Sequence, residues 1–275
     1  MISLQAVELL DPQGDLALPN QGPVPQRLLG QKLAAAGLHL ILSVALVGLV
    51  GLLMMLLWYP WPIFLAAGAT GLLMLVSLCD VVLGPALTFV VYRPRKRSLR
   101  TDLAVIAMLQ IAALGYGMYS VYLARPVFNV FAVDRFELVS AAEMEPAQLA
   151  LARPEYQELS LTGPRLVAAQ LPDDLQERQK LMFSALNSGI DLRLLPRYYV
   201  EYHAFRKSTL ARAKPIATLR EYNRAGAVDA VLENLGMSEA SVVFVPLVGK
   251  RGDLTVLLDA RTGAIARIVN LRPWP

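Results

Sequence analysis

Asp80 is a carboxylate inside an apolar stretch that runs from about Ile63 to Tyr92. A charged acid at bilayer depth costs about 2.5–3.5 kcal/mol on insertion scales, so such a residue faces a partner or a cavity. As chemistry, a lone intramembrane acid suggests proton-coupled transport. Transporters of that kind also carry inverted repeats or paired broken helices, and the sequence has neither. A structural role is the stronger reading, and it takes three forms. Asp80 is neutral, or it is hydrogen-bonded to Gln110, or Gly84-Pro85 kinks the helix and brings the acid toward the inner interface.

The other residues able to do chemistry are scattered. His39 lies in the first apolar stretch and His203 far downstream. Neither has a second His or Cys at metal-ligand spacing, so both read as packing or surface residues. Cys79 is the single cysteine, which excludes an internal disulfide and a thiolate metal cluster. Gly115 and Gly117 form a G-x-G inside an apolar stretch, without the strand and further glycines of a phosphate loop, so helix packing is the better use. Ser140, Ser160, Ser184 and Ser188 have no nucleophile context. Asp134-Arg135 falls in an alternating segment, Val127 to Val139, that reads as one strand. Neighbours on a strand point to opposite faces. The pair therefore reads as a solvated face, a cross-strand ion pair, or a docking contact near a membrane surface. No catalytic residue, metal or cofactor is expected, and the chain reads as a non-enzyme.

The elements that hold these residues follow from composition. The chain has 275 residues, 55% of them hydrophobic and only 17% charged, against about a quarter charged in ordinary soluble domains. The deficit is concentrated between Leu33 and Ala124. About 20 apolar residues cross a bilayer core, and three stretches are long enough: helices of about 33–59, 63–92 and 103–124. The first ends at Trp58-Tyr59-Pro60-Trp61-Pro62, aromatic and helix-breaking residues that fit an interfacial turn. On the third, Ala112, Ala113, Gly115 and Gly117 would let another helix approach closely.

Charge sets the orientation. The net charge is +4, and five basic residues, Arg93, Arg95, Lys96, Arg97 and Arg100, crowd one short loop between the second and third helices. Basic residues in short loops stay cytoplasmic, so they are topology determinants, and nucleic acid is not an expected partner. Residues 1–32, rich in Pro and Gly and without a signal-peptide core, read as a flexible cytoplasmic tail. Residues 33–125 form the transmembrane domain. Residues 126–275 lie on the far side, the periplasm of a cell with two membranes.

That last part reads as an α+β domain with an antiparallel sheet. Strand candidates lie within Thr162–Leu171 and Arg193–Tyr202, and helices at Asp173–Asn187, Ser208–Ala213, Ile216–Arg224 and Val228–Leu235, the last ended by Gly236. Ser241–Leu247, Leu254–Asp259 and Ile265–Asn270 form a three-strand meander with glycine in each turn.

Taken together, several segments resemble a known family. They are Trp58-Tyr-Pro, Asp80-Val-Val-Leu-Gly-Pro-Ala-Leu-Thr-Phe-Val-Val-Tyr-Arg-Pro, Asp102-Leu-Ala-Val-Ile, Gln110, Ala113-Leu-Gly-Tyr-Gly, Tyr122, Arg125-Pro126-Val, Val133-Asp-Arg-Phe, Pro196-Arg-Tyr-Tyr-Val, Ala211-Arg-Ala-Lys-Pro, Lys250-Arg-Gly-Asp-Leu-Thr-Val-Leu-Leu-Asp-Ala-Arg-Thr-Gly and Arg272-Pro-Trp. This pattern is similar to the type IV pilin accessory proteins of the TfpX/TfpZ kind, from about Leu33 to the C-terminus. The segment up to about Gln31 departs from it. The resemblance implies a multi-pass inner-membrane accessory factor, a chaperone-like partner of the major type IV pilin that promotes pilus assembly or shifts the balance of extension and retraction. Other pilus machinery and membrane lipid are further expected partners. Asp80, Gly84, Pro85, Gln110, Ala113, Gly115, Gly117, Arg125, Pro126, Asp134 and Arg135 are the candidate structural or partner contacts. A membrane enzyme that modifies pilin, for instance by glycosylation, and a small sensor or transporter using Asp80 are the competing readings.

Overall fold

A computed structural model describes residues 24–188 and 191–275. The first helix, α1, spans Val24–Leu57, about 51 Å at 1.5 Å per residue. It starts ahead of the apolar run, so residues 24–32 of the expected tail are helical; residues 1–23 lie outside the described part, as does the expected helix stop at Gly189. Three segments are long and apolar enough to cross a membrane: Arg27–Leu57, Ala69–Val91 and Leu99–Ala124.

The middle arm is not the single helix expected over 63–92. A short α2, Ile63–Ala66, breaks at Gly68, whose φ of +80° is left-handed. Then α3, Ala69–Ser77, passes into a π-helical stretch, Leu78–Leu83, and on into α4, Gly84–Val91. In the π stretch the Gly84 N–H reaches back to the Cys79 carbonyl. Pro85 follows, with no N–H and with a ring that crowds the carbonyl four residues back. Widening the preceding turn makes room for it without a sharp bend. The third arm, α5, is Leu99–Ala124.

One residue, Arg125, separates α5 from β1, Pro126–Ala132. A two-residue turn joins β1 to β2, Arg135–Ser140. The remaining elements are α6 Pro146–Ala150, α7 Pro154–Gln157, β3 Arg165–Ala169, α8 Leu175–Ser188, β4 Tyr199–Glu201, α9 Tyr202–Leu210, β5 Lys214–Pro215, α10 Leu219–Tyr222, α11 Ala227–Leu235, β6 Val242–Val248, β7 Leu254–Asp259 and β8 Ile265–Val269. The meander β6–β7–β8 and the helix α11 with its left-handed Gly236 stop are as the sequence suggests.

The sheet order is β4-β3-β1-β2-β6-β7-β8, with β5 beside β6. The expected all-antiparallel sheet is corrected here, because β1 pairs parallel with β3 and β2 parallel with β6. The strand expected over 127–139 is a hairpin. Val133 adopts a φ of 60° in its turn, so a β-branched residue occupies a conformation that usually signals glycine.

Bundle and sheet share one core. Val50, Met54, Tyr59, Ile63, Phe64 and Ala66 from the first two arms pack with Phe131, Phe136, Val245, Leu247, Val256 and Leu258 of the sheet. The opposite sheet face carries two further clusters. Phe128, Val130, Val139 and Val167 pack with Leu181 of α8, and Phe244 and Leu257 pack with Val228 and Leu232 of α11. With both faces covered, β1 is buried at every position, the pattern of a central strand between two layers.

Polar contacts close the same joint. The Gly163 N–H donates to the Leu57 carbonyl at the end of α1 (2.7 Å), and Trp58 Nε1 donates to the Leu161 carbonyl (3.0 Å). The Arg251 N–H donates to the Ala66 carbonyl at 2.9 Å. Added Cβ atoms would stand 2.7 Å from Arg251 Cγ at Gly68, and 2.6 Å from the Ala66 carbonyl at Gly249. Both glycines are therefore there for close approach. Of the three aromatic residues of the turn, Tyr59 is wholly buried, Trp58 is half-buried and Trp61 is largely exposed.

Candidate functional site

Polar side chains from all three arms meet inside the bundle. Asp80 sits in the π stretch and is 2% exposed. Gln110 of α5 donates from Nε2 to Asp80 Oδ1 at 3.3 Å, so of the three readings the geometry gives the hydrogen bond. In the π stretch Asp80 is buried within the bundle.

His39 of α1 completes the group. Its Nδ1 lies 2.6 Å from Thr88 Oγ1 on α4. Gly84 lies between the polar tips: a Cβ there would stand 2.2 Å from Gln110 Nε2 and 2.8 Å from His39 Nε2. The Gly84-Pro85 pair therefore has a local reason. Pro85 widens the turn, and Gly84 leaves room for two side chains to reach across it. From sequence His39 reads only as a packing or surface residue, and Thr88 was not singled out. The signal was present, since His39 is an ionisable residue in an apolar membrane stretch and such residues are rarely idle.

The small residues of α5 divide. Gly117 is buried, and a Cβ there would meet Val76 Cγ2 at 2.4 Å, so it packs α5 against α3. Gly115 is exposed with open space around it, and Ala113 is half-buried. The stripe is thus not one face offered to a partner.

Arg125 and Pro126 belong to the joint. The Arg125 guanidinium lies 3.7 Å from the centre of the Tyr122 ring, with NH1 donating to the Tyr122 carbonyl (2.7 Å) and Nε to the Ser160 carbonyl (3.1 Å). Asp134 and Arg135 lie far along β1 and β2 from that joint. Because Asp134 is in the turn and not on a strand, the two do pair, Arg135 Nε to Asp134 Oδ1 at 2.9 Å. They border a small polar cavity with Arg212, Lys214 and Trp274. Arg93, Arg95, Lys96, Arg97 and Arg100 are exposed in the loop before α5 and at its start, where Lys96 pairs with Asp102 at 2.5 Å.

The soluble domain holds an ion network absent from the sequence reading. Ser140 and Glu143 form a reciprocal cap. Arg193 reaches both Glu143 (3.0 Å) and Glu137 (3.1 Å), and Lys250 lies 3.3 Å from Glu143. Burial alone would raise the Glu143 pKa, but hydrogen bonds from Ser140 and Arg193 and the Lys250 charge hold it down at about 2. Burial pushes Glu137 up, with the Arg193 charge opposing. Lys250 also donates to Ser140 Oγ at 2.9 Å. Among the described residues no group of three or more His, Cys, Asp or Glu side chains could hold a metal ion.

Comparison with known proteins covers most of the chain. Residues 27–68 match the family described as fimbrial assembly protein FimB. The chain is 31% identical over 232 residues to the fimbrial assembly protein of Dichelobacter nodosus serogroup I, covering 82% of this chain and 89% of that one. The serogroup E1 protein matches to the same extent. The protein of serogroups C1 and C2 is 38% identical over 111 residues, 40% of this chain and 85% of its own length. No solved structure matches. With that identity sustained from the first membrane helix into the sheet domain, the chain belongs to the FimB family of fimbrial assembly proteins.

Proposed function

We propose that this fimbrial assembly protein is a non-enzymatic, chaperone-like partner of the major pilin in the inner membrane. Its N-terminus is cytoplasmic and its sheet domain periplasmic. The observation that carries the reading is the shared core of bundle and sheet. Membrane arms and soluble domain present one rigid surface, so a subunit with one helix in lipid and a folded head outside could be held at both places. Two linked weak contacts bind far more tightly than either alone, provided their spacing is fixed. The basic loop at Arg93–Arg100 supports the orientation. Family membership supports a role in fimbrial assembly.

The test is surface pilin relative to total pilin in cells lacking the protein. Surface pilin should fall while total pilin persists. Unchanged surface pilin overturns the proposal, and a sugar-sized mass difference in pilin would replace it with a modifying enzyme.

A further inference from the structure

We infer that the membrane bundle carries a helix-binding groove, and that its occupant is a membrane helix of the fimbrial subunit bearing a hydrogen-bond-donating side chain at mid-span. The inference rests on the pilin-partner reading above and names where and by what chemistry the contact is made.

Both α1 and α5 pack against the middle arm and have little contact with each other. Between them lies a groove of about 710 Å³. Its α1 wall runs from Gln31 to Leu46, about 22 Å at 1.5 Å per residue, or four helical turns. That length and direction suit a helix lying alongside α1, not a compact ligand. Leu38, Leu42 and Ile111 on its walls are 60%, 61% and 71% exposed.

The floor is where the groove stops being generic. Asp80 lines it, 2% exposed, with Oδ1 taken by Gln110. Asp80 Oδ2 is buried and has no hydrogen-bond partner among the described residues. Asp80 lies midway between Ala69 and Val91, about 16 Å from each end and so at mid-span. An acceptor left bare at that depth is costly. An acyl chain filling the groove would leave it bare. The backbone N–H groups of a membrane helix are spent on its own carbonyls, so the donor must be a side chain, such as a hydroxyl, amide or amine. Polar side chains that hydrogen-bond across helices stabilise membrane association in this way.

The experiment places a photo-crosslinking residue at one site at a time in the full-length protein in its own cells, with the major pilin detected by antibody. Leu42 and Ile111 report the groove, Met74 the opposite lipid face, and Arg267 the exposed sheet edge. Pilin should be captured from Leu42 and Ile111. Ala107→Trp, which fills the groove and leaves Asp80 and Gln110 themselves unchanged, should cut that capture about tenfold at equal protein level. Asp80→Leu should cut it about three- to tenfold, the worth of one interhelical hydrogen bond in lipid, and Asp80→Asn, which keeps an acceptor, should retain it. Pilin captured from Met74 or Arg267 but not from the groove overturns the inference and leaves the pilin-partner reading standing. Groove positions that yield only lipid adducts, or only a second copy of this chain, overturn it likewise. Capture undiminished by Ala107→Trp does the same. No pilin captured from any position overturns both.

Discussion

The Tyr59 hydroxyl donates to the Val121 carbonyl at 2.9 Å, across a contact where neither side chain is exposed. Val121 is in the last turn of α5, where carbonyls have no intrahelical donor. The next carbonyl, that of Tyr122, takes the Arg125 guanidinium and main-chain N–H. The residue that reads as an interfacial anchor is thus the cap of another arm. Tyr59→Phe leaves a buried acceptor unpaired, which costs about 1–3 kcal/mol. Thermal unfolding of the purified protein in detergent should show a lower midpoint than wild type, and an unchanged midpoint would remove Tyr59 from the joint.

Gly117→Ala places a methyl against Val76, where the gap is 2.4 Å. A β-branched side chain has little freedom to move aside, so overpacking of about 1–3 kcal/mol is expected. Val76→Ala in the same chain should restore most of that loss. If the double variant unfolds as early as Gly117→Ala alone, the two residues are not the contact that matters.

Glu143 gives the sheet domain an acid limb. Its folded pKa is about 2, below the ordinary glutamate value, so its contribution is full above about pH 4.5 and is lost as pH falls toward 2. The span allows up to about 3 kcal/mol. Glu137, raised by burial, works in the opposite sense and relaxes on protonation. Glu143→Gln should flatten the fall in stability between pH 4.5 and 2.5 measured by denaturant unfolding. A variant with the wild-type acid limb assigns that limb elsewhere.

Orientation is open to direct measurement. Alkaline phosphatase, active only outside the cytoplasm, should be active when fused after Arg125 and inactive when fused at Arg97. Neutralising Arg93, Arg95, Lys96, Arg97 and Arg100 should lower the first and raise the second. Fusions with the reverse pattern would invert the topology proposed here.

How far the sequence foretold this molecule depends on the reach of each signal. The three apolar arms, the β6–β7–β8 meander and the Gly236 stop follow from local pattern, and they are found. The hairpin at Val133-Asp134 was hidden because valine, not glycine, takes the left-handed position, so its two strands read as one. The parallel pairings join segments far apart in the chain, Phe136 with Leu247 for instance, and no window of sequence contains both. The shared core was missed for the same reason. Asp80 and Gln110 were legible as polar residues in apolar runs. Their convergence with His39 and Thr88 needed the relative rotation of three arms, which spacing along one arm does not encode.

The joint also has a bearing on the order of folding. The loop that covers the Ala66 end of the middle arm lies at residues 249–252, and the strand that pairs with β2 begins at Val242. A chain made from its N-terminus inserts all three arms long before these segments exist. Until they arrive, the core around Phe64 and Ala66 lacks the cover of β6, β7 and the 249–252 loop, and the long loop closure that completes it is the slow kind. A chain cut short before Val242 would keep its membrane arms and lose their lid, and cellular proteolysis of such exposed surfaces would then set its abundance.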